Sequence, residues 1–168
     1  MKLFRNLLLV TVLMMGTMAV NAQSKVAHIN SRELIQSMPE FKTMQDELNK
    51  LQQEYRTDYE NEAKSLDAKL QKYRQEAPTQ TDAENQKRAA ETQELGQKLQ
   101  VYLQNAEKQI AQKEQDLYKP MAEKAQKAID EVAAAQGFQY VFDSTPGGGL
   151  IVAKGKDLMA DVKAKLGI

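Results

Sequence analysis

From Phe41 the apolar positions of the chain recur as Phe41, Met44, Leu48, Leu51, Tyr55, Tyr59, Ala63, Leu66, Leu70, Tyr73 and Ala77. The steps are threes and fours throughout, so a narrow stripe follows one face of a continuous helix. Two extra steps of four insert a stutter that relaxes the left-handed supercoil of a strict heptad repeat. A second stripe runs through Ala83, Ala90, Leu95, Leu99, Tyr102, Ala106, Ile110, Leu117, Met121, Ala128 and Val132. Between the two lies "QEAPTQTDAEN", residues 75 to 85. Pro78 disfavours helical geometry at the residue before it, and Thr81 with Glu84 forms a T-x-x-E capping box that starts a new helix. The interruption is therefore a hairpin tip near 77–81, and the second stripe returns antiparallel to the first. The stretch from Lys42 to Glu76 spans ~50 Å at the helical rise, so the arm is long and thin. Near the tip the returning stripe sets mostly Ala, Gln and Glu opposite Leu66, Leu70 and Tyr73, which predicts poor burial and inexpensive local opening there.

On either side of the arm the period changes. "KVAHIN", residues 25 to 30, alternates as a short strand, with Ala27 and Ile29 on one side and Val26 and His28 on the other. Asn30 or Ser31 then caps a short helix that Pro39 ends or kinks at Met38, and Pro39 suits the first turn of the next helix. Pro120 falls inside the returning helix, removes the bond its N–H would make to the Asp116 carbonyl, and predicts a kink near Lys119. After Gly137, "FQYVFD" reads as a strand, "STPGGG" as a turn and "LIVA" at 150–153 as a second strand, which together predict a β-hairpin. "KDLMADVKAKLGI" closes the chain as an amphipathic helix. The expected fold is α+β and mainly α: a long antiparallel helical-hairpin arm at 40–120, on a small β-rich oligomerisation head assembled from 23–39 and 121–168. A head of roughly sixty residues has a marginal core, and three strands leave open edges. Self-association would cure both, through Val26, Ile29, Tyr140, Phe142 and Ile151.

The first 22 residues stand apart. Lys2 and Arg5, an apolar run from Leu7 to Met15, and "VNA" ending at Ala22 have the order of a cleavable secretory signal peptide. The 168-residue chain has no Cys, so a protein exported in this way is held together without disulfides or a lipidated cysteine. Loss of Lys2 and Arg5 with the leader reduces 23 basic residues to 21, against 23 acidic ones. A balance so close to neutral argues against binding to nucleic acid.

Catalytic and metal chemistry find little support. His28 is the only histidine, so it has neither a His nor a Cys co-ligand and reads as a packed or partly exposed strand residue. Gly147, Gly148 and Gly149 match neither the phosphate-loop nor the dinucleotide spacing and are followed by a predicted strand, so they read as a turn. No Ser, His and Asp constellation is arguable, and no catalytic residue, metal ligand or cofactor is assigned. The arm offers more. Tyr55, Tyr59, Leu66, Leu70, Tyr73, Leu99 and Tyr102 either fill the interhelical seam or, where two helices cannot hide them, contact an apolar partner. Lys69, Lys72, Arg74, Lys87 and Arg88 gather towards the tip, as a solvated face or as a contact for a client or a membrane surface.

The residues "VAHINSRELIQSMPEFKTMQDEL" at 26–48, "YKPMAEKAQKAIDEVAAAQGFQYVFD" at 118–143 and the following "LIVAKGKDLMADVKAKLG" resemble, in this order, the Skp (OmpH) family of periplasmic chaperones. The resemblance covers essentially the whole chain after Ala22. It implies a homotrimer whose strands close a small intersubunit barrel, and three arms around a cavity that holds unfolded outer-membrane β-barrel proteins without ATP. It also implies a periplasmic location. The competing expectation is a structural coiled-coil spacer or adaptor of the cell envelope whose tip docks on another protein.

Overall fold

The computed structural model describes residues 25–168, and the expected signal peptide lies outside them. Strand β1 (Val26–Ile29) leads into helix α1 (Ser31–Ser37), then α2 (Pro39–Glu76), a 3-10 turn (Ala77–Thr79) and α3 (Asp82–Gln136). Strands β2 (Tyr140–Asp143) and β3 (Lys156–Asp157) and helix α4 (Met159–Leu166) complete the chain. The α+β, mainly helical class and the helical-hairpin arm are as the stripes predict.

Local chemistry accounts for the element ends. Asn30 Oδ1 accepts the Glu33 N–H at 3.1 Å and caps α1, and Met38 turns extended so that Pro39 opens α2. Helix α2 stops at Glu76, two residues before Pro78, and Thr81 Oγ1 accepts the Glu84 N–H at 3.2 Å to start α3. Gly137, at φ 71°, takes the left-handed cap that closes α3, a conformation that costs a residue with a Cβ. Pro120 lies within α3, which continues through it.

The sheet departs from the sequence expectation. Its order is β2-β1-β3, with β1 in the centre and both neighbours parallel to it. There is no hairpin between residues 138 and 153: β2 pairs as Val26↔Tyr140 through Ile29↔Asp143, and β3 pairs on the other side as Ala27↔Lys156 and His28↔Asp157. "LIVA" is not a strand, and Ile151 is 96% exposed. A tight turn joins antiparallel neighbours only, whereas the long connection between β2 and β3 lets the chain pass β1 and pair on its far edge. The last helix is also shorter than expected, because Lys156 and Asp157 are taken by β3.

The core sits where the sheet meets the helix ends. Ala27 and Ile29 on the inner sheet face pack with Leu34, Ile35, Met38, Ala125, Ala128, Ile129, Val132, Leu158 and Val162. It tapers into the base of the arm at Met44 and Met121. Ile29, expected at an oligomer surface, is instead 2% exposed within its own protomer, because the strand alternation that turns Val26 outward turns Ile29 inward.

Candidate functional site: the arm and the outer sheet face

Along the arm, α2 and α3 hold one another by a seam that is nowhere fully dry beyond Ala106. Leu48, Leu51, Tyr55, Tyr59, Leu66, Leu70 and Tyr73 on α2 are all partly buried, as are Leu95, Leu99, Tyr102 and Ile110 on α3. A two-helix arm has one packing partner per helix, so the edges of its apolar stripe meet solvent. At mid-arm the Tyr55 and Tyr102 rings meet edge to face, with centroids 5.8 Å apart and planes at 70°. The Tyr102 hydroxyl donates to Asp58 Oδ2 at 3.2 Å. Burial, with the Asp58 carboxylate beside it, pushes the Tyr102 phenol above its ordinary pKa. Next to this pair lies a groove of about 640 Å³ lined by the apolar Leu66, Leu95, Leu99 and Tyr102 together with the charged Asp58, Glu62, Lys69 and Lys98.

Sequence reasoning missed two apolar side chains here. Val101 and Leu103 lie on either side of the seam position Tyr102 and are 53% and 41% exposed. Tyr118, nearer the base, is exposed as well. The signal was present: all three fall off the three-and-four stripe, and large apolar residues off the stripe of a polar helix have no intramolecular partner to find.

Towards the tip the seam becomes polar. Ala83 and Ala90, read as part of the returning stripe, are exposed, and their place is taken by Glu84, Arg88 and Glu91. The spacing 84, 88, 91, 95, 99, 102 and 106 is the true inward face of α3, and a search for apolar residues passes over its first three members. Lys69 Nζ donates to Glu91 Oε1 at 2.6 Å and the Tyr73 hydroxyl to Glu91 Oε2 at 2.8 Å. These two donors hold the Glu91 carboxyl below its usual range. Arg88 bridges Glu76 at 2.9 Å and Glu84 at 3.1 Å, with its guanidinium 4.5 Å from the centroid of the Tyr73 ring. Of the five expected tip charges, Lys69 and Arg88 are thus engaged between the helices, Lys72 lies 4.0 Å from Glu76, and Arg74 and Lys87 make no ion pair among the described residues.

The head presents a second surface. Val26, Tyr140 and Phe142 share the outer sheet face and are 42%, 58% and 50% exposed, and His28 lies among them in register with Phe142. Ile151, expected with them, belongs to the loop between β2 and β3. The β2 end is tied to α1 through Asp143, which accepts the Ser31 hydroxyl at 2.6 Å and the Thr145 hydroxyl and N–H at 2.7 and 2.9 Å. Partial burial pushes this carboxyl upward, yet the Ser31 and Thr145 donors prevail and lower it to about 2. Among the described residues no cluster of His, Cys, Asp and Glu could hold a metal ion, and no helix is long and apolar enough to cross a membrane.

A long two-helix arm with an open apolar seam, rising from a small parallel sheet with an uncovered face, defines the structural class. The family model for OmpH-like outer membrane proteins matches residues 25–166, and the chain belongs to that family. A crystal structure of an OmpH-like outer membrane chaperone assignment from Caulobacter crescentus CB15 shares the fold, with a TM-score of 0.74 at 18% identity over 88% of this chain and 86% of that one. No curated protein matches the sequence significantly.

Proposed function

We propose that this protein is an ATP-independent periplasmic holdase that takes unfolded outer-membrane β-barrel proteins into a space between the arms of a homotrimer and keeps them from aggregating. The observation that carries the reading is apolar surface spread along an otherwise charged arm: the open seam and groove at Leu66, Leu99 and Tyr102, with Val101 and Leu103 beside it. Contacts of this kind are individually weak. Many acting together retain a client, and none alone sets a long residence time, so release needs no nucleotide.

Assembly through the head is supported by the outer sheet face and by the outer edges of β2 and β3, which lie at the two ends of the strand order. Tyr140, Phe142 and Val26 are the side chains a second and third copy would cover. The freely exposed Arg74 and Lys87 are the tip groups available to an acidic client or membrane surface.

The reading is tested by diluting a denaturant-unfolded outer-membrane barrel into buffer with the protein lacking its first 22 residues, and following turbidity. Suppression near one trimer per client is expected. Turbidity unchanged at large excess would overturn the proposal.

A further inference from the structure

The distal arm is closed by charge where the proximal arm is closed by apolar packing. At the base, Met44 and Met121 are 6% and 4% exposed, and the ion pairs Glu40–Lys124 and Glu47–Lys113 flank their apolar contact. At the tip no apolar side chain of α3 between Asp82 and Glu94 is buried, and the helices meet through Glu84, Arg88 and Glu91. The groups facing this contact are Lys69, Lys72, Tyr73 and Glu76 from α2, and Glu84, Lys87, Arg88 and Glu91 from α3, with none contributed by the 3-10 turn.

Each of these contacts bridges or braces the two helices. Glu91 receives a cation and a phenol from α2, and Arg88 reaches back to Glu76 while its stem and guanidinium cover Tyr73. Only Asn85 Nδ2 donating to the Ala77 carbonyl at 3.0 Å adds a neutral tie across the tip. Most of these side chains remain in contact with solvent, so dissolved ions reach them. The Debye length falls from about 10 Å at 0.1 M salt to about 3 Å at 1 M, which screens exposed pairs and leaves apolar contacts intact or tightened.

We propose that Lys69, Tyr73, Glu76, Glu84, Arg88 and Glu91 form an electrostatic clasp that sets how often the distal arm opens. Raised ionic strength releases it, and so does a highly charged chain competing for the same groups, while the base stays shut. Release uncovers Leu70 and Tyr73, which the clasp half buries. The clasp is a property of this hairpin and holds whether or not the protein is a chaperone.

Amide hydrogen exchange read by mass spectrometry on the protein lacking its first 22 residues, at one pH in 0.05 M and 1 M NaCl, tests it. The expected result is exchange in peptides covering 66–95 faster by roughly threefold or more in high salt, the scale of screening a few partly exposed pairs. Peptides around Met44 and Met121 are expected to be unaffected or slower. E91Q preserves shape and removes the charge, so it is expected to exchange faster at the tip in low salt, with a smaller salt response because only the Arg88 pairs with Glu76 and Glu84 remain to be screened. R88M separates charge from packing, because a purely packing role for Arg88 leaves the salt response intact. Equal tip protection in both salts, or an undiminished salt response in E91Q, would overturn the proposal.

Discussion

Asp143 joins two parts of the head that are remote in sequence. Its carboxylate takes the Ser31 and Thr145 hydroxyls and fixes the end of β2 against the start of α1. Its pKa is depressed in the folded chain, to about 2 from an ordinary 3.8, so its contribution is present above about pH 4 and is lost as the pH falls towards 2. The side chain is well exposed, and screening reduces the contribution to about 1 kcal/mol. D143N is therefore expected to lower unfolding stability by about that amount at pH 7, with the gap to the parent closing as the pH approaches 2; urea melts across that range check it. Val101 and Leu103 give the matching functional prediction. The double variant V101S/L103S loses only partly covered side chains outside the core and is expected to fold normally while requiring about twice or more of the protein to suppress client aggregation, measured by turbidity. The capping residues were legible in the sequence because a cap is a local device: Asn30 and Thr81 need only their own next turn. Asp143 was not legible as a tie, since its partner Ser31 is 112 residues away.

At the scale of elements, the stripe on α2 was legible because its inward positions from Phe41 to Tyr73 are apolar, aromatic or Ala, with Lys69 the one charged exception. The start of α3 was misread because its inward positions are charged, and polarity usually marks the outer face of a helix. Strand β3 is two polar residues with no pattern to announce it, whereas "LIVA" has the composition of a strand and no neighbouring backbone to pair with. Pro120 bears on α3 as a unit. It withholds one backbone bond from a helix of 55 residues, at an exposed position beside the groove formed by Met44, Leu117 and Met121. P120A restores the N–H and is expected to raise stability by up to about 3 kcal/mol, checked by thermal unfolding. An unchanged or lowered stability would mean that the packing around Met44 and Met121 depends on the proline ring itself.

For the whole molecule, the sequence placed a long arm on a small head, and both are present with the β-hairpin replaced by a parallel sheet. That replacement alters the case for assembly less than the case for particular residues. Ile29 leaves the outer face for the core and Ile151 leaves the sheet, while Val26, Tyr140 and Phe142 remain on an uncovered face. A single protomer has one arm and encloses nothing, so the proposed holding of a client requires association, and that uncovered face is the surface proposed for it. Light scattering after size exclusion, on the protein lacking its first 22 residues, alone and with an unfolded outer-membrane barrel added, tests this most directly. The account predicts three times the chain mass alone, and that mass plus one client in the mixture. A monomer or dimer whose mass does not change when the client is added would contradict it.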